Sequence, residues 1–278
     1  MTIAGPQRER PVAQARLTGV GVGPGDPLLL TRGAMVALEA ADRVVAPTTD
    51  PSLPGRAEAV VRDALPDLAV TRLVFDMTPD GVATGAAARA ASHRAAAERL
   101  LPWLDAGEHV AFVTLGDPNI YSTFPSLVAA LEALGRRPAV DTVPGITAFQ
   151  ALAARTGTVL TDGSQSLSLV TALDGTGSLA EVIGDPTRSV VVYKGGRHLP
   201  AIAALLGAHG RLTGAVLGEL IGLPGERCGP LAEAAEAPAS YLATVIVPPA
   251  GNLPPSALHP ASAVTSPPRV PRASRKGA

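Results

Sequence analysis

The chain has 278 residues, 46% hydrophobic and 17% charged, which is ample for a sizeable core and for two domains or one large one. Aromatics make up only 3%, so that core must be built from Ala, Leu and Val; a net charge of −1 with no basic stripe leaves nucleic-acid binding by phosphate neutralisation without support. The single cysteine, Cys228, excludes an internal disulfide and any cysteine-based metal cage, and no His-x-x-x-His spacing is present, so no metal is expected.

In chain order, residues 1–15 are polar, lack the apolar centre of a signal peptide, and are expected to be a disordered extension. No apolar run approaches the roughly 18 residues of a membrane span, so a soluble cytoplasmic protein is expected. Short β-branched or apolar runs then alternate with helical patterns. Strands are predicted at Arg16–Val22, Arg43–Ala46, Ala69–Leu73, His109–Thr114 and Ala139–Val143, then at Ser166–Ala172, Ser189–Tyr193, Gly214–Glu219 and Leu242–Val247. Helices are predicted at Leu28–Ala40, Arg56–Ala64, Ala83–Ala106 and Ser122–Leu134, then at Thr147–Arg155, Gly177–Ile183 and Leu199–Ala208. This alternation implies an α/β protein with largely parallel sheets. A join is expected near Gly135–Ala139, giving domains 16–137 and 138–248, the second with a mixed sheet, followed by a disordered Pro/Ala/Ser-rich tail, 249–278.

The stretch LTGVGVGPGDPLLLT, from Leu17, places glycines at 19, 21, 23 and 25 between a predicted strand and a helix. A dinucleotide fingerprint needs a third glycine five positions after its first, but Pro24, Asp26 and Leu28 occupy that place in the three possible registers. No Lys-Ser/Thr pair follows, so a Walker A loop is excluded as well. Pro24 lacks an N–H, and Asp26 puts a carboxylate where a pyrophosphate would sit. Asp26-Pro27 also has the makeup of a plain helix start, an N-cap followed by a first-turn proline. The design recurs in HVAFVTLGDPNIYST, with Gly116-Asp117-Pro118 after a strand. A third loop, VPGITAFQALAA, follows another strand, and Thr147 there can either cap its helix or bond a ligand. Loops at the carboxyl ends of strands are where α/β ligands collect. Acidic, phosphate-averse turns suit a ligand with hydroxyls and a positive charge, as in S-adenosylmethionine. His93 and His109 read as surface or helix-flank residues.

Taken together, GVGVGPGDPLLLT, LGDPNIYST, VPGITAFQALAA, VVVYKGG and AVLGELIGLPGER resemble, in this order and from roughly Leu17 to Val247, the tetrapyrrole (corrin/porphyrin) methylases. These are S-adenosylmethionine-dependent enzymes of cobalamin and sirohaem biosynthesis. GRAEAVVRDALPDLAVTRLVFDMT, DGSQSLSLVTA and YKGGRHLPAIAALL are most similar to the branch that methylates precorrin-2 at carbon 20. The resemblance implies two α/β domains with the cofactor in the cleft between them, usually in a homodimer. It implies a cofactor shell of Pro24, Leu115, Gly116, Asp117, Ile120, Thr147, Ala148 and Lys194, with Leu220 added by the last motif. Gly23, Gly25 and Asp26 would lie beside the tetrapyrrole, whose carboxylates would call for basic partners such as Arg197, Arg72, Arg188 or Arg227. Asp26 and Glu219 are the two candidates for accepting the proton lost after methyl transfer. The alternatives on this fold are methylation of another precorrin, of cobalt-factor II, of the diphthamide precursor or of ribosomal RNA. A nicotinamide-dependent oxidoreductase is the alternative from a different class, disfavoured by the failed fingerprint.

Overall fold

The computed structural model describes residues 15–75 and 85–251. The first sheet contains β1 (Arg16–Gly21), β2 (Arg43–Thr48), β3 (Val70–Val74), β4 (His109–Thr114) and β5 (Ala139–Val143), in the order β3-β2-β4-β1-β5. Every pairing in it is parallel. Parallel strands covered on both faces read as unbroken apolar runs, and β4, HVAFVT, is buried from its second residue onward. On one face α3 (Gly85–Asp105) and α4 (Phe124–Ala133) pack Leu100, Leu104, Leu127 and Leu131 against Leu17, Val45 and Phe112. On the other, α1 (Arg32–Glu39) and α2 (Arg56–Ala64) pack Leu38, Val60 and Val61 against Val44, Ala111 and Val113.

The second sheet contains β6 (Ser166–Thr171), β7 (Arg188–Tyr193), β8 (Val216–Glu219), β9 (Arg227–Pro230) and β10 (Thr244–Val247), in the order β6-β7-β10-β8-β9. Only β6 and β7 run parallel; the other pairings are antiparallel, so the sheet is mixed. α5 (Ala148–Thr156) covers one face through Phe149 and Leu152, while α6 (Gly177–Ala180) and α7 (Leu199–Ala208) cover the other. The buried Arg211 staples this half, its guanidinium donating to the carbonyls of Ile183, Asp185, Arg188 and Pro248.

Several expectations shift. The join expected at residue 137 falls between α4 and β5, yet β5 pairs with β1, so the chain returns once more to the first sheet before crossing to the second. The predicted helix Leu28–Ala40 is two pieces: a 3-10 turn, Pro27–Leu29, capped by Asp26, and α1, restarted by Thr31, whose hydroxyl accepts from Ala34 N–H. β9 had no prediction, because its four residues, RCGP, carry no alternating pattern, and its pairing with β8 creates it. Along α3, Ala97, Leu100 and Leu104 are buried as the pattern requires, whereas Ala86 and Ala90 are exposed. The first two residues of that predicted helix, 83 and 84, lie outside the described residues, as do residues 1–14 and 252–278 of the expected extension and tail. No helix among the described residues is long and apolar enough to cross a membrane.

Candidate active site

Three loops leave the carboxyl ends of β1, β4 and β5, which are neighbours in the first sheet, and their backbones touch. Gly116 N–H donates to Gly23 O at 2.7 Å, and Val22 N–H donates to Thr114 O at 2.9 Å. A Cβ on Gly21 would sit 2.5 Å from Gly116 O, and one on Gly145 would sit 2.1 Å from the same oxygen. Both positions therefore require glycine for close approach. The Asp117 carboxylate fastens this junction: Oδ1 accepts from Asn119 N–H at 2.8 Å and Oδ2 from Gly145 N–H at 3.1 Å. Thr147 N–H and hydroxyl both donate to Gln150 Oε1, at 2.9 and 2.8 Å, so this side chain serves the start of α5 in a capping box.

The junction floors a cavity of about 860 Å³ between the two sheets, at the upper end of the roughly 300–1,000 Å³ of small-molecule sites. Pro24, Leu115, Gly116, Asp117, Ile120, Thr147 and Ala148 contribute to its first-domain side. The opposite wall is aromatic and cationic. All three tyrosines of the chain, Tyr121, Tyr193 and Tyr241, line the cavity, and Lys194 joins them. Lys194 Nζ donates to Tyr121 O at 3.3 Å and lies 5.8 and 5.9 Å from the ring centroids of Tyr121 and Tyr241. The Tyr193 hydroxyl accepts from Phe149 N–H at 3.2 Å, and the Tyr121 hydroxyl donates to Leu169 O at 3.1 Å. Burial lowers the Lys194 pKa from its ordinary value and raises those of Tyr121, Tyr193 and Tyr241. Tyr121 and Lys194 hold φ of 49° and 59°, left-handed conformations that non-glycine residues adopt mainly where the surroundings impose them.

Eight residues read from the sequence as a cofactor shell thus share one cavity: Pro24, Leu115, Gly116, Asp117, Ile120, Thr147, Ala148 and Lys194. Leu220 is not on its wall; it turns at φ 52° beside Ile221, which is. Gly23 and Gly25 lie behind the wall, Gly25 being pressed against the second-domain turn, where a Cβ would meet Ile221 O at 2.7 Å. Asp26 accepts from Leu28 N–H at 2.9 Å, with Arg155 at 3.8 Å, so it does the work of a helix cap. Glu219 is buried, accepting from Ser240 N–H at 2.7 Å and pairing with Arg227. Both carboxylates weighed as proton acceptors are therefore already engaged. The basic side chains named from the sequence are engaged too: Arg197 donates to Leu173 O, Arg72 pairs with Glu58, and Arg188 with Asp185.

His93, read as a surface or helix-flank residue, is half-buried on α3. It lines the cavity from α3, its ring 5.5 Å from that of Phe75. His109 is where it was expected, at the start of β4, with Nε2 2.8 Å from Thr18 Oγ1. Arg56, Arg89 and the three tyrosines also line the cavity without having been named from the sequence. One signal for the tyrosines was present, since a chain with 3% aromatics has few rings to place.

A parallel first sheet whose β1, β4 and β5 loops close on a cleft, faced by a mixed second sheet, defines a two-domain α/β small-molecule enzyme. Residues 16–235 match the model of the Tetrapyrrole (Corrin/Porphyrin) Methylases, and the chain belongs to that family. It is 35% identical over 241 residues to a precorrin-2 C(20)-methyltransferase of a Sinorhizobium species, covering 85% of this chain and 96% of that protein. It is 31% identical over 214 residues to a cobalt-precorrin-2 C(20)-methyltransferase of Salmonella typhimurium, covering 77% of this chain and 86% of that one. To the cobalamin biosynthesis protein CobIJ of Mycobacterium tuberculosis it is 33% identical over 85% of this chain, which spans only 46% of that relative. Among solved structures, the cobalt precorrin-4 methyltransferase CbiF superposes with a TM-score of 0.61 at 19% identity, over 84% of this chain and 95% of that one, a likeness of fold. Family membership and the failed glycine fingerprint together set aside the nicotinamide-dependent alternative.

Proposed function

We propose that the chain transfers a methyl group from S-adenosylmethionine to carbon 20 of precorrin-2, giving precorrin-3A, S-adenosylhomocysteine and a proton in cobalamin biosynthesis. The observation that carries this reading is the family match joined to a relative of that name aligned over nearly its whole length. The local chemistry agrees. The close backbone approach at Gly21 and Gly145 holds the three loops together beneath the cleft, and the Asp26 cap and Asp117 clamp make these loops unsuited to a phosphate. When bound, the cofactor supplies an electrophilic methyl on a sulfonium whose leaving group is a neutral thioether.

The protein's task is then positioning and exclusion of water. Main-chain groups of Leu115, Ile120 and Ala148 hold the adenine and methionine ends, with Gly116 and Thr147 shaping the floor. Asp117 keeps the second and third loops in register, and Lys194 presents an ammonium to an incoming carboxylate. The tyrosine wall supplies flat apolar faces for a macrocycle. A homodimer in the cytoplasm is the assembly and setting that the family resemblance implies.

The test is anaerobic incubation with S-adenosylmethionine and precorrin-2, in parallel with its cobalt complex, followed by mass spectrometry. Gain of one methyl group by metal-free precorrin-2, with S-adenosylhomocysteine released, is expected. Methylation of the cobalt complex alone would move the substrate to that form. A melting temperature raised by NADH and unmoved by S-adenosylhomocysteine would overturn the methylase reading.

A further inference from the structure

The cavity continues past the cofactor floor into a lobe bounded by the start of α2 and by α3. Gly55, the N-cap of α2, has no side chain to offer, so the first N–H groups of that helix face the lobe uncapped. Arg56 projects from the same turn. Arg89 and His93, one helical turn apart, line it from α3, and Phe75 forms its apolar wall.

Arg62 and Arg72 both pair with the buried Glu58, whereas Arg56 and Arg89 form no ion pair among the described residues. The carboxylate on this side, Asp50, is turned into its own loop and accepts from Ser52 N–H and hydroxyl at 2.8 and 2.6 Å. His93 Nδ1 lies 2.7 Å from Arg89 O. A carbonyl only accepts, so the proton is assigned to Nδ1, and Nε2 is the free ring nitrogen. That Nε2 is buried and has no partner among the described residues, a condition rare for polar atoms in folded proteins.

We propose that this lobe, formed by Arg56, Arg89, His93 and the N-terminus of α2, binds a carboxylate side arm of the tetrapyrrole. The inference rests on the methyl-transfer reading and adds which residues grip the substrate. Two guanidiniums with no ion pair among the described residues supply charge, the helix supplies N–H donors, and the carboxyl arm gives His93 Nε2 the hydrogen-bond partner it lacks. Phe75 packs edge-on against the imidazole, with the ring centroids 5.5 Å apart, so the ring is held in place before the ligand arrives.

The test compares the full chain with Arg56→Met, Arg89→Met, His93→Asn and His93→Gln, using precorrin-2 kinetics and calorimetric binding of S-adenosylhomocysteine. Gln reaches the Nε2 position, while Asn reproduces only the Nδ1 bond to Arg89. Affinity for S-adenosylhomocysteine within twofold of the parent is expected throughout, with the KM for precorrin-2 up about tenfold in Arg89→Met and His93→Asn. Arg56→Met should show a smaller rise, and His93→Gln should recover most of the loss. Unchanged KM in both Arg89→Met and His93→Asn, with the parent active, would overturn this assignment alone. Loss of S-adenosylhomocysteine affinity in those variants would also overturn it, by placing the lobe with the cofactor. A parent that binds S-adenosylhomocysteine but leaves precorrin-2 unmethylated would overturn the function as well.

Discussion

The two walls of the cleft are made of different material. The first-domain floor is backbone: three loops at adjacent strand ends, pressed together at Gly21, Gly116 and Gly145 and fastened by Asp117. The second-domain wall is side chains: Tyr193, Lys194 and Tyr241, with Tyr121 reaching across to Leu169 O from the β4 loop. Backbone floors fail by not folding. Side-chain walls fail by not binding. That difference orders what substitutions should do on each side.

The largest effect is expected where a Cβ has nowhere to go. Gly145→Ala places a methyl 2.1 Å from Gly116 O and should cost more than about 3 kcal/mol in urea unfolding, or prevent folding. Gly207→Ala, in the last turn of α7 with open space around it, should instead stabilise by less than about 1 kcal/mol. Next is Glu58→Gln, which leaves Arg62 and Arg72 without their carboxylate; Glu58 is buried but both guanidiniums are partly exposed, so the cost should be roughly 1–3 kcal/mol. Burial opposes ionisation of Glu58, but the two guanidiniums outweigh it and hold its carboxyl below the ordinary 4.5. Its contribution is therefore complete above about pH 4.5 and lost as pH falls through the lower folded value. The gap between parent and Glu58→Gln should narrow below pH 4.5, read from denaturation at a series of pH values.

Asp117→Ala cuts the clamp between the second and third loops. It should lower affinity for S-adenosylhomocysteine by tenfold or more, about 1.5–3 kcal/mol, while Glu132→Ala at an exposed position of α4 should change it by less than twofold. Equal effects of the two would break the claim that the floor is a built site. The smallest effect belongs to the other wall: Lys194→Met should shift stability by about 1 kcal/mol or less at neutral pH. Burial lowers the folded pKa of Lys194 below 10.5, so the penalty on its charge is present at neutral pH and disappears above the unfolded value. Relative to the parent, the Met variant should lose ground as pH rises from neutral to above 10.5.

The same contrast explains what the sequence could disclose. A floor built by backbone approach needs Gly, Pro and Asp at fixed offsets from strand ends, so Leu115–Asp117 and Thr147–Ala148 were legible as text. Continuous apolar runs such as HVAFVT likewise announced the buried parallel strands. Strands made by their partners did not: RCGP has no period of its own and exists through β8. The side-chain wall is assembled from positions 121, 193 and 241, which no local pattern connects. His93 was misplaced because its helix, GAAARAASHRAAAERLLPWLD, reads as alanine with polar residues on all sides. Only the packing of Phe75 against that helix shows which way the ring faces. Asp26 carried two readings in the sequence, and the plain one, a cap, is what the structure holds.

The hydrogen bond from Gly116 to Gly23 joins the first loop, which packs on the second domain at Gly25, to the loop that floors the cleft. A molecule that quiets one of them has already spent ordering entropy that a second arrival would otherwise lose, so the methyl donor and its acceptor should favour each other's residence without any contact between them. Such reciprocity would appear as an equal factor of tightening for each molecule when the other is present at saturation.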